Sequence, residues 1–236
     1  MEPVALFLPG LLCDRAAWAD TIGQLDDVAD CIVPDYQGAD SIEGMARAVL
    51  RAAPDRFALA GHSMGGRVAL EVVRQAPQRV QRLALLDSGF QPRPTGEAGA
   101  AETDLRARLV QRARERGMRV MGREWLGGMV HPERLEDRSL IDPMLDMIER
   151  ATPEDFAAQV RALLKRPDAS AVLASIACPT LLICGRQDSW SPPARHAVMA
   201  ALITGSRLEI LERCGHMAPM EQPRQIGRLL RDWLFS

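Results

Sequence analysis

The stretch "RFALAGHSMGGRVALEVV", residues 56–73, joins an apolar run to a patterned one around a single serine. The apolar run, residues 57–60, has the length and composition of a strand buried on both faces. A serine held between Gly61 and Gly65 follows, and polar and apolar residues then mix through residue 73. The pattern predicts a sharp strand-to-helix turn with one hydroxyl at its apex.

Short apolar runs of the same kind recur on both sides of this turn, and amphipathic stretches separate them. Strand-helix alternation of this sort is typical of a mostly parallel sheet with helices on both faces. We therefore predict an α/β fold. The other predicted strands are residues 4–8, 31–33, 83–86, 180–185 and 207–212.

The amphipathic segments carry recognisable helix boundaries. In residues 41–54, "SIEGMARAVLRAAP", apolar side chains share one helical face, and Pro54 ends the segment. Asp40 and Glu43 have the spacing of a capping box. The last helix is expected to bury one apolar stripe: Ile226, Leu229, Leu230, Trp233 and Leu234.

The middle of the chain breaks this rhythm. No convincing strand occurs between residues 91 and 177; a short Pro/Gly-rich segment is followed by helical stretches. We predict an α/β core from residues 1–90 and 178–236, with residues 91–177 as a helical cap insertion over the sheet.

Composition and charge exclude several classes of partner. Hydrophobic residues make up 47% of the 236 residues, and the formal charge is −2, so nothing global favours nucleic acid or an anionic membrane. Five cysteines without a repeated spacing indicate reduced thiols and a cytoplasmic location. We expect no signal peptide and no membrane span, since the sequence opens without a basic leader or a long apolar stretch.

Residues 61–65, "GHSMG", match G-x-S-x-G in the context that gives this motif meaning. A nucleophile on so sharp a turn has strained backbone angles, and bulky side chains two residues away would collide. The hydroxyl of Ser63 would stand at a helix N-terminus, where the Met64 amide faces developing negative charge. The alternative is a Gly-rich phosphate loop, but the lysine and spacing of a P-loop are absent.

A serine nucleophile needs a base, and four histidines are available. His62 lies inside the turn, His196 lies within a predicted helix, and His131 lies in the insertion, on the surface or in a pocket. His216 follows the last predicted strand, at the sheet edge where parallel α/β proteins bind ligands. We prefer His216.

The orienting acid is expected at the same edge. Asp188 follows the preceding predicted strand, at a distance from His216 that accommodates one helix and one strand. Asp87, directly after the strand of residues 83–86, is the alternative, as acid or as pocket residue. Asp35 is expected to hold a turn.

The first strand ends in "LPGLLCD", residues 8–14, whose loop can offer a second amide to an oxyanion. Leu11 is the first candidate for this donor and Leu12 the second. A plain strand-to-helix turn is the alternative, because Pro-Gly is common in turns.

Four motifs in order, "LPG", "GHSMGG", "GRQDSWSPP" and "CGHMAPMEQP", resemble the α/β-hydrolase family. The chain looks like a small, capped, cofactor-free member, similar to enol-lactone hydrolases and carboxyl-ester esterases. The resemblance covers nearly all of the chain outside residues 91–177. The order Ser, Asp, His is the one that this family uses.

The resemblance implies Ser63 as nucleophile, His216 as base and Asp188 as orienting acid, with the Met64 and Leu11 amides as oxyanion hole. It implies no metal and no organic cofactor. The chain has Pro9 where the family commonly has histidine before the glycine. It also begins directly at the first strand, without the family's leading hairpin, which implies about six strands.

The insertion contains five of the eleven methionines, and such side chains suit either an adaptable apolar pocket or plain packing of the cap. Seven arginines between residues 106 and 123 indicate a solvated helix face, with an acidic substrate or carrier protein as the alternative. The predicted pocket residues are Leu12, Phe90, Trp125, Met129, Trp190 and Met217.

These features together predict a serine hydrolase acting on a small carboxylic ester or lactone with an apolar part. The same three side chains can also serve carbon–carbon bond hydrolysis, perhydrolysis or acyl transfer, because those outcomes depend on the pocket and on water access. A ligand sensor that keeps the fold is the alternative from another class.

Overall fold

One sheet of six parallel strands organises the chain in this computed structural model, which describes residues 3–36 and 38–235. The strands are β1 (Val4–Leu8), β2 (Asp30–Ile32), β3 (Phe57–His62), β4 (Val80–Leu86), β5 (Thr180–Gly185) and β6 (Arg207–Leu211). Their order in the sheet is β2-β1-β3-β4-β5-β6. The α/β prediction with about six strands is confirmed, and every pairing is parallel.

The inner strands explain why the sequence shows continuous apolar runs. Every residue of β3 and of β5 is buried, which requires cover on both faces of the sheet. The edge strands β2 and β6 are partly exposed and are correspondingly less apolar. Burial on two faces therefore replaces the alternating pattern that a half-solvated strand would show.

Helices provide this cover, and none among the described residues is both long and apolar enough to cross a bilayer. The helices outside the segment between β4 and β5 are α1 (Ala19–Ile22), α2 (Ile42–Ala52), α3 (Met64–Gln75), α9 (Pro193–Leu202), α10 (Ala218–Glu221) and α11 (Pro223–Phe235). Helices α2 and α3 pack against each other, as do α1 and α11. All five residues of the predicted apolar stripe on α11 are buried.

The N-terminus of α2 corrects one local prediction. Ser41, rather than Asp40, is the N-cap, and its hydroxyl accepts a hydrogen bond from the Gly44 N–H at 3.1 Å. Asp40 and Glu43 therefore form no capping box. The capping position shifts by one residue because the backbone at Ser41 is extended and places its side chain beside the free amides.

Five helices follow one another between β4 and β5, with no strand among residues 87–179, all of which the structure describes. We call this helical connection the insertion; the assignment of residues 91–177 as a cap over the sheet stays a prediction. Met1, Glu2, Gln37 and Ser236, which the predicted core ranges include, lie outside the described residues. The helices of the insertion are α4 (Gly96–Arg116), α5 (Met118–Leu126), α6 (Arg138–Glu149), α7 (Pro153–Leu164) and α8 (Ser170–Ser175).

The carboxyl edge of the sheet is where distant parts of the chain meet. Because all strands run the same way, the loops after β1, β3, β4, β5 and β6 emerge at one edge. The insertion is itself the connection from β4 to β5, so it also starts from this edge.

Candidate active site

Ser63 occupies the single residue between β3 and α3. Its backbone has φ 54° and ψ −115°, a conformation that a residue with a side chain rarely adopts. The predicted sharp turn is present, and its glycines are required by space. A methyl group on Gly61 would strike the Gly65 backbone, and one on Gly65 would strike the Leu8 and Pro9 backbone.

Hydrogen bonds hold this strained residue in place. The Ser63 N–H donates to the Leu86 carbonyl at 2.9 Å, and the Ser88 hydroxyl donates to the Ser63 carbonyl at 2.8 Å. Both partners belong to β4 or the loop after it. The neighbouring strand therefore fixes the turn from one side and leaves the Ser63 side chain free to face the opposite side.

His216 lies in the loop after β6 and joins Ser63 to Asp188. The Ser63 hydroxyl lies 2.8 Å from Nε2 of His216, and Nδ1 of His216 lies 2.8 Å from Oδ2 of Asp188. The His216 N–H donates to the Met129 carbonyl at 2.6 Å, so the insertion helps to set the ring position. The structure thus brings together the three side chains that the sequence predicts as nucleophile, base and acid.

Asp188 is buried yet held in its ionised form. Although burial favours the neutral acid, the charge and hydrogen bond of His216 and two backbone amides hold the pKa of Asp188 below its ordinary value. Those amides, from Trp190 and Ser191, each donate to Oδ1 at 2.8 Å. One carboxylate oxygen is therefore anchored by the loop while the other faces the imidazole.

The other three histidines make contacts of their own. Burial lowers the pKa of His62 to about 3, and its Nε2–H donates to the His216 carbonyl at 2.7 Å. His196 is also buried, and its Nε2 accepts from the Ser88 N–H at 3.2 Å. His131 is buried rather than on the surface, and its Nδ1 accepts from the Glu133 N–H. None of these rings contacts the Ser63 hydroxyl among the described residues.

Asp87, the alternative acid, anchors the backbone instead. It is fully buried, and its carboxylate accepts from the Gly185 N–H at 2.9 Å and the Ala218 N–H at 3.3 Å. Burial, followed by the nearby charge of Asp188, raises the pKa of Asp87 well above its ordinary value. Its Oδ2 also lies 3.8 Å from Nε2 of His62.

The set Asp87, Cys184 and Asp188 has possible metal-ligand atoms within 4.8 Å of one another. Its chemistry does not suit a metal, because burial raises the pKa of Cys184 far above its ordinary value and the thiol donates to two carbonyls at 3.2 Å. The Asp87 carboxylate already accepts from two backbone amides. The Asp188 carboxylate accepts from two others and pairs with His216. These residues form a hydrogen-bonded cluster beside the loop that carries His216.

The two predicted oxyanion donors line one cavity with Ser63. Met64 is the first residue of α3, so its N–H has no partner within the helix. Neither the Met64 nor the Leu11 amide donates to a protein acceptor within the described ranges. The Leu12 N–H, the second candidate, donates to Oε1 of Gln159 at 2.9 Å, and Leu12 has φ 59°. Of the two candidates on this loop, Leu11 is therefore the one whose amide is left available.

A cavity of about 860 Å³ opens beside Ser63 and His216 under the insertion. Trp125, Met129 and Trp190, three of the predicted pocket residues, line it.

The other three predicted pocket residues, Leu12, Phe90 and Met217, do not line this cavity. Leu12 faces an adjacent cavity because its left-handed backbone turns it toward α7. Phe90 lines a small cavity beside α8, and Met217 is buried at the start of α10.

Several arginines also line the cavity, and most of them are not among the pocket residues predicted from the sequence. Arg67, Arg166 and Arg195 come from three separate segments. Of the basic run of residues 106–123, Arg106 alone lines this cavity, while Arg112, Arg114 and Arg119 pair with acids elsewhere on the insertion. One signal was present in the sequence, since Arg67 lies one helical turn after Ser63.

A family model described as "Alpha/beta hydrolase family" matches residues 5–229 of the chain. A pimeloyl-[acyl-carrier protein] methyl ester esterase from Nitrosomonas europaea is 28% identical over 190 residues, covering 79% of this chain and 74% of that protein.

Two solved structures align over nearly the whole chain. A malate-bound thermophilic esterase from Thermogutta terrifontis is 26% identical, with a TM-score of 0.86, and covers 99% of this chain and 90% of that chain. An enol-lactonase from Burkholderia xenovorans LB400 is 20% identical, with a TM-score of 0.88, and covers 100% and 92%; at that identity the likeness concerns the fold.

Proposed function

The chain belongs to the alpha/beta hydrolase family, and from that premise we propose that it is a serine hydrolase that cleaves a carboxylic ester or lactone. Ser63 is the nucleophile, His216 the general base and acid, and Asp188 the carboxylate that orients the imidazole. The observation that carries the proposal is the unbroken chain of two 2.8 Å contacts from the Ser63 hydroxyl through His216 to Asp188.

The first half of the reaction acylates Ser63. As the Ser63 oxygen attacks the ester carbonyl, its proton moves to Nε2 of His216, and the carbonyl oxygen becomes an oxyanion. Asp188 stabilises the resulting imidazolium without taking its proton. When the tetrahedral intermediate collapses, Nε2 returns the proton to the departing alcohol and the acyl group stays on Ser63.

The second half repeats these steps with water. His216 takes a proton from water as it attacks the acyl-enzyme, and returns that proton to the Ser63 oxygen when the acid leaves. The Met64 and Leu11 amides bind the oxyanion in both halves, each contributing about 3 kcal/mol to the transition state. Every group in these steps comes from the chain or from water, so the proposal includes no metal or organic cofactor.

We assign substrate enclosure to residues 91–177 as a cap, with residues 1–90 and 178–236 as the catalytic core. Trp125 and Met129 from the cap and Trp190 from the core line the cavity that holds Ser63, and their side chains suit an apolar part of a small ester. The esterase names of similar proteins support esters as the substrate class.

A reducing compartment suits this chain. All five cysteines are free thiols, and Cys184 and Cys214 are buried. We therefore place the enzyme in the cytoplasm.

A nucleophile test decides the proposal. A fluorophosphonate probe should label the native chain at Ser63, and a panel of nitrophenyl esters and small lactones should be hydrolysed. Ser63→Ala should not be labelled, and its kcat should be about 10⁶-fold lower than that of the native chain. Ser139→Ala, which alters an exposed serine of the insertion, should behave as native. Equal rates for the native and Ser63→Ala chains on every substrate would rule the proposal out.

A further inference from the structure

The cavity beside Ser63 is unusually cationic for a site that would receive a neutral ester. Its described lining residues include one acid, Glu102. Five arginines also line it: Arg67, Arg93, Arg106, Arg166 and Arg195.

Glu102 accounts for two of these arginines. Its carboxylate accepts from Arg166 at 2.7 and 2.8 Å and from Arg106 at 3.0 Å. Arg106 also lies over the Trp190 ring, 5.6 Å from its centroid. These two guanidinium groups therefore share the Glu102 carboxylate as counter-charge, and no ligand is needed to account for their positions.

Arg67 and Arg195 are not bound to an acid in this way, although the charge of Glu102 acts on both and that of Asp188 acts on Arg195. They approach the same point, since a Cβ on Gly89 would lie 2.8 Å from Nη2 of Arg67 and 3.4 Å from Nη1 of Arg195. In the described parts of the chain, neither forms an ion pair with an acid. Each instead donates through Nη1 to a backbone carbonyl, that of Gln91 at 2.8 Å and that of Trp190 at 2.6 Å.

Bracing two loops does not require two neighbouring positive charges. A guanidinium has five N–H donors, and the bonds to Gln91 and Trp190 use few of them. Burial, and then the charges of Arg166 and Arg195, lower the pKa of Arg67 to about 9 although the Glu102 charge opposes this shift, so placing this guanidinium charge beside the others costs free energy. An anion held between the two side chains would offset this cost and use the remaining donors.

We infer that Arg67 and Arg195 bind an anionic oxyacid group, a carboxylate or a phosphate, at the non-reacting end of the ester. The inference rests on the proposed function, because the two arginines select an ester only if Ser63 attacks it. Arg67 lies four residues after Ser63 on α3, about 6 Å of helix rise, so the charged end belongs to a short acyl or alcohol chain. The apolar walls at Trp125 and Met129 would contact its methylene groups.

Matched esters test this inference. The 4-nitrophenyl half-esters of succinate, glutarate and adipate are compared with the 4-nitrophenyl esters in which a methyl replaces the carboxylate, pentanoate being the partner of glutarate. A phosphonate-ended series distinguishes phosphate from carboxylate. We expect at least one charged ester to exceed its neutral partner at least tenfold in kcat/KM, through a lower KM.

Variants locate the effect. Arg67→Met and Arg195→Met should each reduce the charged-to-neutral ratio about tenfold or more, and Arg67→Lys should restore part of it. Arg112→Met, which removes an exposed arginine paired with Glu124 on the insertion, should keep the native ratio. A native ratio of one or below for every charged ester, or a ratio unchanged in both methionine variants, would overturn the inference while leaving Ser63-dependent cleavage of the neutral esters intact.

A binding measurement separates this inference from the proposed function. Calorimetric titration of the Ser63→Ala chain with monomethyl glutarate, which carries one carboxylate, and with methyl pentanoate, its neutral counterpart, needs no catalysis. Binding of monomethyl glutarate at least tenfold tighter than that of methyl pentanoate, and weakened in Ser63→Ala/Arg67→Met, would support the anion site even if no ester were cleaved. Equal binding of both ligands, with no ester of the charged series preferred, would refute it.

Discussion

At the residue scale, Ser63 shows how a strained backbone is maintained. A φ of 54° for a residue with a side chain costs of the order of 1–3 kcal/mol. Hydrogen bonds from Ser63 to Leu86 and from Ser88 to Ser63 offset that cost, and the missing side chains of Gly61 and Gly65 create the necessary space. The strain points the hydroxyl toward His216.

Two buried aspartates at this edge differ in what they touch. Asp188 accepts from His216 and from two loop amides, whereas Asp87 accepts from the Gly185 and Ala218 amides. Both are candidate acids by position in the sequence. Their hydrogen-bond partners, rather than their burial, separate them.

Substitution of each aspartate by asparagine tests this difference. Asp188→Asn should lower kcat about 10⁴-fold, because the imidazole loses its orienting carboxylate and the stabilisation of its charged form. Asp87→Asn should lower kcat less than about tenfold, since an amide oxygen can still accept from Gly185. Steady-state kinetics on one nitrophenyl ester measures both, and a larger loss for Asp87→Asn would reverse the two assignments.

At the element scale, one carboxylate joins two parts of the insertion. Glu102 lies on α4, and its partner Arg166 follows the end of α7; the Arg166 side chain is 8% exposed. The carboxylate also binds Arg106 on its own helix. The cavity wall that α4 contributes therefore depends on an ion pair that is largely shielded from water.

This ion pair makes the stability of the insertion depend on pH. Although burial opposes ionisation, the Arg166 hydrogen bonds and the Arg106 charge lower the pKa of Glu102 to about 2. A depressed pKa means that the stabilisation is complete above about pH 4.5 and is lost as the pH falls toward 2. At pH 7, Glu102→Gln should lower the free energy of unfolding by about 3 kcal/mol.

Urea unfolding at pH 7, 5 and 3.5 measures this dependence. The difference between the native and Glu102→Gln chains should be constant from pH 7 to 5 and smaller at pH 3.5. Glu97→Gln, an exposed residue at the start of α4, provides the control and should differ little from native at each pH. A Glu102→Gln difference that grew on acidification would contradict the assigned direction.

At the scale of the whole molecule, Glu221 connects the insertion to the loop that carries His216. Its Oε2 accepts from the His131 N–H at 2.9 Å, and its Oε1 accepts from the Gly215 and Met217 N–H groups at 3.0 and 3.2 Å. The two latter residues flank His216. One buried carboxylate thus sets the position of the predicted base relative to the insertion.

Glu221→Gln should therefore impair both stability and catalysis. The glutamine side chain has the same length, but its NH₂ would face an amide donor on one side. We expect the free energy of unfolding to fall by about 1–3 kcal/mol and kcat to fall about tenfold or more with KM little changed. Glu212→Gln, at an exposed ion pair with Arg186, should leave both quantities near native, and a native kcat for Glu221→Gln would show that the loop position does not depend on it.

The sequence by itself determined the sheet, the sharp turn and the three residues proposed for catalysis. Strand burial on two faces produces continuous apolar runs, and the turn at Ser63 requires glycines at fixed spacing. Parallel strands then force Asp188 and His216 to the same edge. The sequence determined the ends of the helices and strands less well. Strand β4 begins at Val80, before its most apolar part, and Ser41 rather than Asp40 caps α2.

Only the tertiary structure decided the character of the pocket. Gln159 of α7 takes the Leu12 amide, which leaves the Leu11 amide available, and Arg67 and Arg195 meet beside Gly89 from segments more than a hundred residues apart. Contacts with residues distant in sequence also decide that three predicted pocket residues do not line this cavity: Leu12, Phe90 and Met217. Local patterns encode which face of an element is buried, whereas the position of a long side chain depends on contacts with residues distant in sequence.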